Sequence, residues 1–271
     1  MKILVANDDG IYAQGIVSLV QALSRIEGAQ VYVAAPNTQK SATGHGITIT
    51  APIIVKEAQV DGAVKAWKIQ GTPADCVKLG VERMKELGVA PDLVVSGINM
   101  GYNLGTDVIY SGTVSAAMEG AVLGYPAVAF SLGSHTPTYY EAATRIAVQV
   151  CQQALKHLDT DTILNVNVPD IPPEQIKGIR ITSQGKQEYD EWFEQRTNPR
   201  GESYYWYSGK PVIYSGLPGH LDVMAASEGY ISITPLHFDL TRYELLESVR
   251  SWFPETRIQE DPALGFLPEE E

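Results

Sequence analysis

No stretch of this sequence approaches the ~20 consecutive apolar residues that a bilayer-spanning helix needs, and the mean hydropathy is −0.08. No membrane partner is expected. Positive charge is scarce: 20 Lys and Arg face 32 Asp and Glu, a formal net charge of −12. Nucleic-acid polymers are held through a basic footprint, so they are excluded as the main partner. A small phosphorylated substrate is not excluded, because a bound cation can invert the field of a site in an otherwise acidic protein. Cysteine is nearly absent. Cys76 and Cys151 are the only two, too few and too far apart for a disulfide framework or a zinc site, which predicts a reducing, cytoplasmic setting. Lys2 leads directly into an apolar run, so no signal peptide is expected.

Several phosphate chemistries lack their motifs. There is no Gly-x-x-x-x-Gly-Lys-Ser/Thr run, and no Gly-x-Gly-x-x-Gly follows the first apolar run. A phosphatase with a Cys nucleophile needs an Arg close behind its Cys. Here Cys76 lies inside a helical pattern, with Arg83 nearly two turns away. The 5 His residues are scattered, and His45 alone lies near the segments discussed next, where it reads as a loop or supporting residue.

What the chain does have is Asn7-Asp8-Asp9-Gly10 at the end of its first apolar run, Ile3–Ala6. That run reads as a buried parallel strand. From Ile16 on, Leu19, Val20, Leu23 and Ile26 fall on one helical face. The two acids therefore sit in a strand-to-helix loop, where open parallel sheets bind ligands. Adjacent strand residues face opposite ways, so converging both acids needs a turn, which Gly10 can supply. Two converging carboxylates repel unless a proton or cation lies between them. A hard divalent ion is the leading expectation.

The rest of the chain repeats the alternation. Strands are expected at Val31–Ala35, Asp92–Ser96, Ala127–Ser131 and Ile163–Val168, with helices at Ala74–Leu87, Val114–Leu123 and about 139–157. Shorter strands are expected at Ile47–Val55 and Ala66–Ile69. This rhythm predicts an α/β fold with a doubly wound, mostly parallel sheet. Residues 186–215 differ, combining turn signals with Tyr189, Trp192, Phe193, Tyr204, Tyr205, Trp206, Tyr207 and Tyr214. They read as a projecting hairpin that either covers a sheet edge or makes an oligomer contact; substrate-base stacking is a lesser alternative. Ile231–Leu236 predicts a strand, a helix is expected at about 241–252, and the acidic tail Pro268–Glu271 reads as solvated. With no repeat and no linker, one domain over 1–271 is expected. Its core is about 1–180 plus 222–240, with a C-terminal extension from 241.

Three further segments place polar groups at expected strand or helix ends: Asn37–Thr48 with Ser41, Ser96–Gly105 with Asn99 and Asn103, and Tyr110–Thr113. An Asn amide oxygen and a Ser hydroxyl could join Asp8 and Asp9 around an octahedral Mg²⁺ or Mn²⁺, leaving positions for water and phosphate. Ser111-Gly112-Thr113 at a helix start offers hydroxyls and free N–H groups to an anion. Together these form a site for metal-assisted phosphate hydrolysis that needs no Lys or Arg.

The ordered motifs Ile3–Gly10 with Gly15, Ala35-Pro36 with Ser41, Gly71–Val77, Ser96-Gly97-Ile98-Asn99-x-Gly101-x-Asn103 and Tyr110–Ala116 resemble the survival protein SurE family of nucleotidases. The likeness extends through Leu164–Pro169 and Gly229–Leu236. It implies a Rossmann-like core, one divalent metal ion (Mg²⁺ or Mn²⁺) and phosphatase activity on nucleoside 5′- and 3′-monophosphates. It also implies that Asp8, Asp9, Ser41 and Asn99 hold the ion, and that Asn103, Ser111 and Thr113 line the phosphate pocket beside Asn99 and Gly112. Asp8, Asp9, Asn103 and Ser111 form the expected catalytic set, the attacking group being either water activated by the ion or Asp9 itself. A homodimer or homotetramer built on the hairpin and C-terminal extension is implied as well. Where the family carries Gly-Thr-Asp after the hairpin, this chain has Gly219-His220-Leu221-Asp222.

Two rivals make different demands. An aspartyl-phosphate phosphatase of the haloacid dehalogenase type wants Asp-x-Asp and a later Lys, but here the acids are adjacent and the later loops are Asn-rich. A non-catalytic nucleotide-binding module would show no metal-dependent turnover.

Overall fold

The buried run Ile3–Ala6 is the heart of β1 (Lys2–Ala6) in a computed structural model that describes residues 1–212 and 216–253. The elements that follow are α1 (Gln14–Leu23), β2 (Gln30–Pro36), β3 (Ile54–Ala58), β4 (Lys65–Gln70), α2 (Pro73–Glu86), β5 (Leu93–Met100), α3 (Gly112–Val122), β6 (Ala127–Leu132), α4 (Tyr140–His157) and β7 (Thr162–Val168). Then come β8 (Ile179–Ile181), β9 (Tyr189–Thr197), β10 (Ser203–Pro211), α5 (Asp222–Ser227), β11 (Ile231–His237) and α6 (Leu246–Trp252). Met1–Phe238 forms one unit and the chain from Asp239 a second, which holds a 3-10 turn Tyr243–Leu245 running into α6.

Nine strands pair in the order β3-β4-β2-β1-β5-β6-β7-β11-β8. Neighbours from β4 through β7 are parallel, while β3 and β11 run antiparallel to their partners β4 and β7. Alternate strand residues feed two cores. Ile3, Val5, Val33 and Val95 pack with Leu19 and Leu23 of α1 and with Ala147 and Cys151 of α4. Leu4, Ala34 and Val94 pack with Val77 and Val81 of α2 and with Ala117 and Ala121 of α3. Helices thus cover both faces, which explains why the central strands read as unbroken apolar runs.

The fold is the expected mostly parallel α/β sheet, with two local differences. The segment expected as a strand over Ile47–Val55 is extended only from Ile54. Thr48 instead gives its N–H and hydroxyl to the Asp75 carboxylate, at 2.9 and 2.6 Å, and Pro52 has no N–H to offer a ladder. The helix expected at about 241–252 is shorter, beginning at Leu246 after the 3-10 turn.

The projecting hairpin is present. β9 and β10 pair in their own two-stranded sheet, register Tyr189↔Pro211 to Thr197↔Ser203. Trp192, Phe193, Tyr205, Trp206 and Tyr207 stay exposed on it, so these rings are not buried as a cover over a sheet edge. Tyr214 and the tail Pro268–Glu271 lie outside the described residues. Among the described residues, no helix is long and apolar enough to cross a membrane.

Candidate active site

Strand order reverses between β1 and β5: the chain winds outward from β1 to β2 in one direction and from β5 to β6 in the other. Such a reversal opens a crevice at the strands' carboxyl ends. The loop after β1 carries Asp8 and Asp9, and the end of β5 carries Asn99.

The acid loop is clipped at its base. Asn7 donates its amide to the Gly10 carbonyl at 2.9 Å and accepts the Gly10 N–H at 3.2 Å, with Gly10 at φ +107°. Asp8 is buried and accepts the Thr113 hydroxyl at 2.5 Å. Asp9 is half-buried, taking the Met100 N–H on Oδ2 and the Gln39 amide on Oδ1, both at 3.2 Å. Burial pushes the Asp8 carboxyl up to about 6, with the Asp9 charge adding to the rise and hydrogen bonding from Thr113 opposing it. Burial likewise raises Asp9, against the Met100 and Gln39 hydrogen bonds. Two neighbouring acids held in this state gain most from a cation between them.

Neutral oxygens stand close by. The Asn99 amide N–H is committed to the Gly101 carbonyl at 3.0 Å, which leaves Oδ1 for another partner. Ser41 is exposed, one residue beyond Lys40, whose N–H donates to the Asp8 carbonyl at 2.7 Å. Among the described residues, no group of three or more His, Cys, Asp or Glu is arranged for a metal. Any ion here would rest on two carboxylates and neutral Asn and Ser oxygens, a hard all-oxygen donor set suited to Mg²⁺ or Mn²⁺.

Ser111 caps α3, accepting the Val114 N–H at 3.0 Å. The first turn of a helix leaves N–H groups without intrahelical acceptors, a ready anion site. Gly112 lies hard against the acid loop: a Cβ there would fall 2.7 Å from Asp8 Cβ and 2.8 Å from its Oδ2. Asn103 is buried and held through its backbone and its side-chain amide N–H. Its Nδ2 donates to Ser131 Oγ at 2.7 Å, its N–H to Asn167 Oδ1 at 2.8 Å, and its carbonyl accepts from Asn165 and Asn167 at 2.8 and 3.1 Å. Ser131 sits in register with Asn99 across β5 and β6. The structure thus gathers Asp8, Asp9, Asn99, Ser111, Gly112 and Thr113, brings Ser41 alongside through Lys40, and ties Asn103 in through β6.

Sequence reasoning missed the braces. Ser131, Asn165 and Asn167 are polar residues inside runs that read as buried strands, and that incongruity was the available signal. His45 bonds to buried Glu119 at 2.8 Å, and Lys78 pairs with the same carboxylate at 2.6 Å, so His45 anchors its loop to α3. Asp222, at the point where the chain departs from the family pattern, is fully buried and accepts N–H groups from Gly105, Gly185 and Val223 at 2.8–2.9 Å. It ties the 3-10 turn Gly105–Ile109, which leads into Ser111, to the segment between β8 and the hairpin. Asp222→Ala leaves these donors unpaired and is expected to lower stability by about 3 kcal/mol, while Asp222→Asn, keeping one acceptor, loses less. Urea unfolding of both variants measures the difference, and equal losses would overturn this account.

Comparison with known proteins agrees with this architecture. The model of the family described as survival protein SurE matches residues 3–191. A protein named 5′-nucleotidase SurE from Syntrophomonas wolfei is 48% identical over 255 residues, covering 93% of this chain and 95% of its own. One of the same name from Heliobacterium modesticaldum is 46% identical over 254 residues, covering 93% and 92%. The crystal structure of the SurE protein from Aquifex aeolicus superposes with a TM-score of 0.77 at 39% identity, covering 93% of this chain and 99% of that one. The chain belongs to the survival protein SurE family.

Proposed function

We propose that this protein is a phosphomonoesterase that hydrolyses nucleoside 5′-monophosphates, and 3′-monophosphates as well, with one divalent ion, Mg²⁺ or Mn²⁺, held by Asp8, Asp9, Ser41 and Asn99. The observation that carries the reading is the mutually repelling pair of buried Asp8 and half-buried Asp9 set against the start of α3, in a chain whose relatives are named 5′-nucleotidase. When bound, the ion supplies the positive charge that polarises a phosphoryl group and activates a nucleophile.

The chain's own residues do the rest. The α3 start and the Ser111 hydroxyl hold phosphate oxygens where charge builds up in the transition state. Thr113 fixes the Asp8 carboxylate through its hydroxyl. Asn103, immobilised by Ser131, Asn165 and Asn167, lines the pocket without adding charge. A panel of nucleoside monophosphates assayed with Mg²⁺, with Mn²⁺ and with chelator tests the reading. Absence of metal-dependent phosphate release from every member would end it.

The raised Asp8 carboxyl gives a second test. In metal-free protein its proton is bound more tightly folded than unfolded, so its contribution to stability is full below about pH 4 and lost as pH rises through about 6. The loss is on the order of 3 kcal/mol by pH 7. Mg²⁺ or Mn²⁺ is expected to raise the melting temperature by several degrees above pH 6 and to have little effect near pH 4.5, where protons displace it. Melts with metal or EDTA across this range check it; an equal shift at both ends would count against the acid pair as the ligand.

The hairpin aromatics, exposed in a single copy, support a homodimer or homotetramer, since exposed aromatic surface marks association sites. Light scattering of the purified chain decides between these and a monomer.

A further inference from the structure

Among the described residues, Ser41 has no hydrogen-bond partner of its own. Its place is therefore set by the residues on either side. On one side the Lys40 N–H donates to the Asp8 carbonyl at 2.7 Å, and the Lys40 carbonyl accepts the Thr43 hydroxyl at 3.1 Å. On the other, the Gly44 N–H donates to the Tyr110 carbonyl at 3.1 Å, and His45 Nε2 meets Glu119 Oε2 at 2.8 Å. Residues 40–45 thus form a short arch, with one foot on the acid loop and the other on α3 and the turn before it. Ala42, beside Ser41 in the arch, stands at φ +55°. A non-glycine residue keeps that conformation only where its surroundings hold it.

The α3 foot is built on a buried charge. Glu119 is only 3% exposed. Burial alone raises its carboxyl, but the His45 hydrogen bond and the Lys78 ammonium bring it below the usual carboxylate value. An ionised carboxylate only accepts hydrogen bonds, so His45 Nε2 carries the donated proton. The two partners use different oxygens, Lys78 of α2 meeting Oε1 at 2.6 Å and His45 meeting Oε2. Lys78 ties α2 to α3, whereas His45 ties the loop to α3.

We propose that the His45–Glu119 bond positions Ser41 for the divalent ion, so that two residues supplying no ligand themselves set the affinity for Mg²⁺ or Mn²⁺. The inference rests on the metal-site reading above, with Ser41 among the four ligands. A lone hydroxyl on an exposed loop has to be ordered before it can hold a cation, and that ordering costs conformational entropy. The His45 foot meets this cost in the folded protein before the ion arrives. Residues that orient a metal ligand from behind cost about 10–100-fold in metal affinity when removed.

The test measures Mn²⁺ binding to the full chain by titration calorimetry, beside phosphate release from AMP by the unaltered protein with Mn²⁺ and with chelator. His45→Ala is expected to weaken Mn²⁺ binding on the order of tenfold. His45→Gln, which keeps an N–H donor for Glu119, is expected to restore most of the affinity. In a Ser41→Ala background the His45→Ala change should cost nothing further, because the ligand it positions is gone. A merely structural role gives equal losses in both backgrounds. Lys78→Met removes the other partner of the same carboxylate, so it should lower the melting temperature and leave Mn²⁺ binding unchanged. Undiminished binding in His45→Ala, equal losses with and without Ser41, or a loss in Lys78→Met as large as that in His45→Ala overturns the inference. Metal-dependent release of phosphate from AMP leaves the phosphatase reading standing in each of those cases. An unaltered protein that neither binds Mn²⁺ nor hydrolyses AMP overturns that reading, and the inference with it.

Discussion

Asp8→Asn is expected to slow nucleotide hydrolysis on the order of 10³-fold and, in the same protein, to raise the melting temperature measured in EDTA. The two effects have one cause. Burial holds the Asp8 carboxyl at about 6, so at neutral pH the ionised group opposes folding by an amount on the order of 3 kcal/mol. Asn removes the charge and still accepts the Thr113 hydroxyl through its side-chain oxygen. The metal-free variant should therefore melt several degrees higher than the parent and lose the shift that Mn²⁺ induces. Asp9→Asn should follow the same pattern with a smaller gain, since Asp9 is only half-buried. Calorimetry with and without metal, beside kcat/KM on one nucleoside monophosphate, reads both effects. Retained turnover in either variant would remove the pair from the reaction. Lower stability in EDTA would instead make Asp8 a structural acid whose pairing the protein needs.

Gly112→Ala is expected to damage both stability and turnover. The added Cβ would fall 2.7 Å from Asp8 Cβ, 2.8 Å from Asp8 Oδ2 and 3.0 Å from the Pro73 ring. Neither neighbour can yield easily. Asp8 is held by the Thr113 hydroxyl, and Pro73 opens α2 under the Thr72–Asp75 capping box. Overpacking of this kind costs about 1–3 kcal/mol. Relief requires Asp8 or the α3 start to move, and misplacement on the order of 1 Å can cost about 100-fold in rate. Gly120→Ala provides the contrast. Its Cβ would press on Val94 at 2.7 Å within the core, so it should lose stability with kcat/KM of the folded fraction little changed. If Gly112→Ala behaves like Gly120→Ala, the closeness of α3 to the acid loop has no part in the chemistry.

The sheet was legible because its determinants are local. Ile3–Ala6, Val31–Ala35 and Ala127–Ser131 are apolar runs buried on both faces, and α2, expected from Ala74, starts at Pro73 behind a Thr72–Asp75 capping box. The adjacent acids, Asn99 and the Ser111 cap were legible because each stands at a strand or helix end that local pattern could locate. What escaped depends on partners far away in sequence. Thr48 leaves its expected strand for a carboxylate 27 residues on. Asp222 finds Gly105 across 117 residues and Gly185 across 37. Asn165 and Asn167 sit inside an apolar strand whose alternation gives no reason for an amide, and the reason is Asn103, 62 and 64 residues earlier.

That separation has a consequence for how the protein is made. Chains emerge from the ribosome N-terminus first and fold as they lengthen. Asp8, Asp9, Ser41, Asn99, Ser111 and Thr113 are all synthesised before the braces at Asn165, Asn167 and Asp222 exist. A nascent chain therefore carries both acids and their neighbouring hydroxyls well before Asn103 and the turn at Gly105 can be locked in place. Rigidity arrives only when β7 pairs with β6 and Asp222 reaches the Gly105 N–H. Truncation before that point leaves the proposed ligands of an ion in place without the braces behind them.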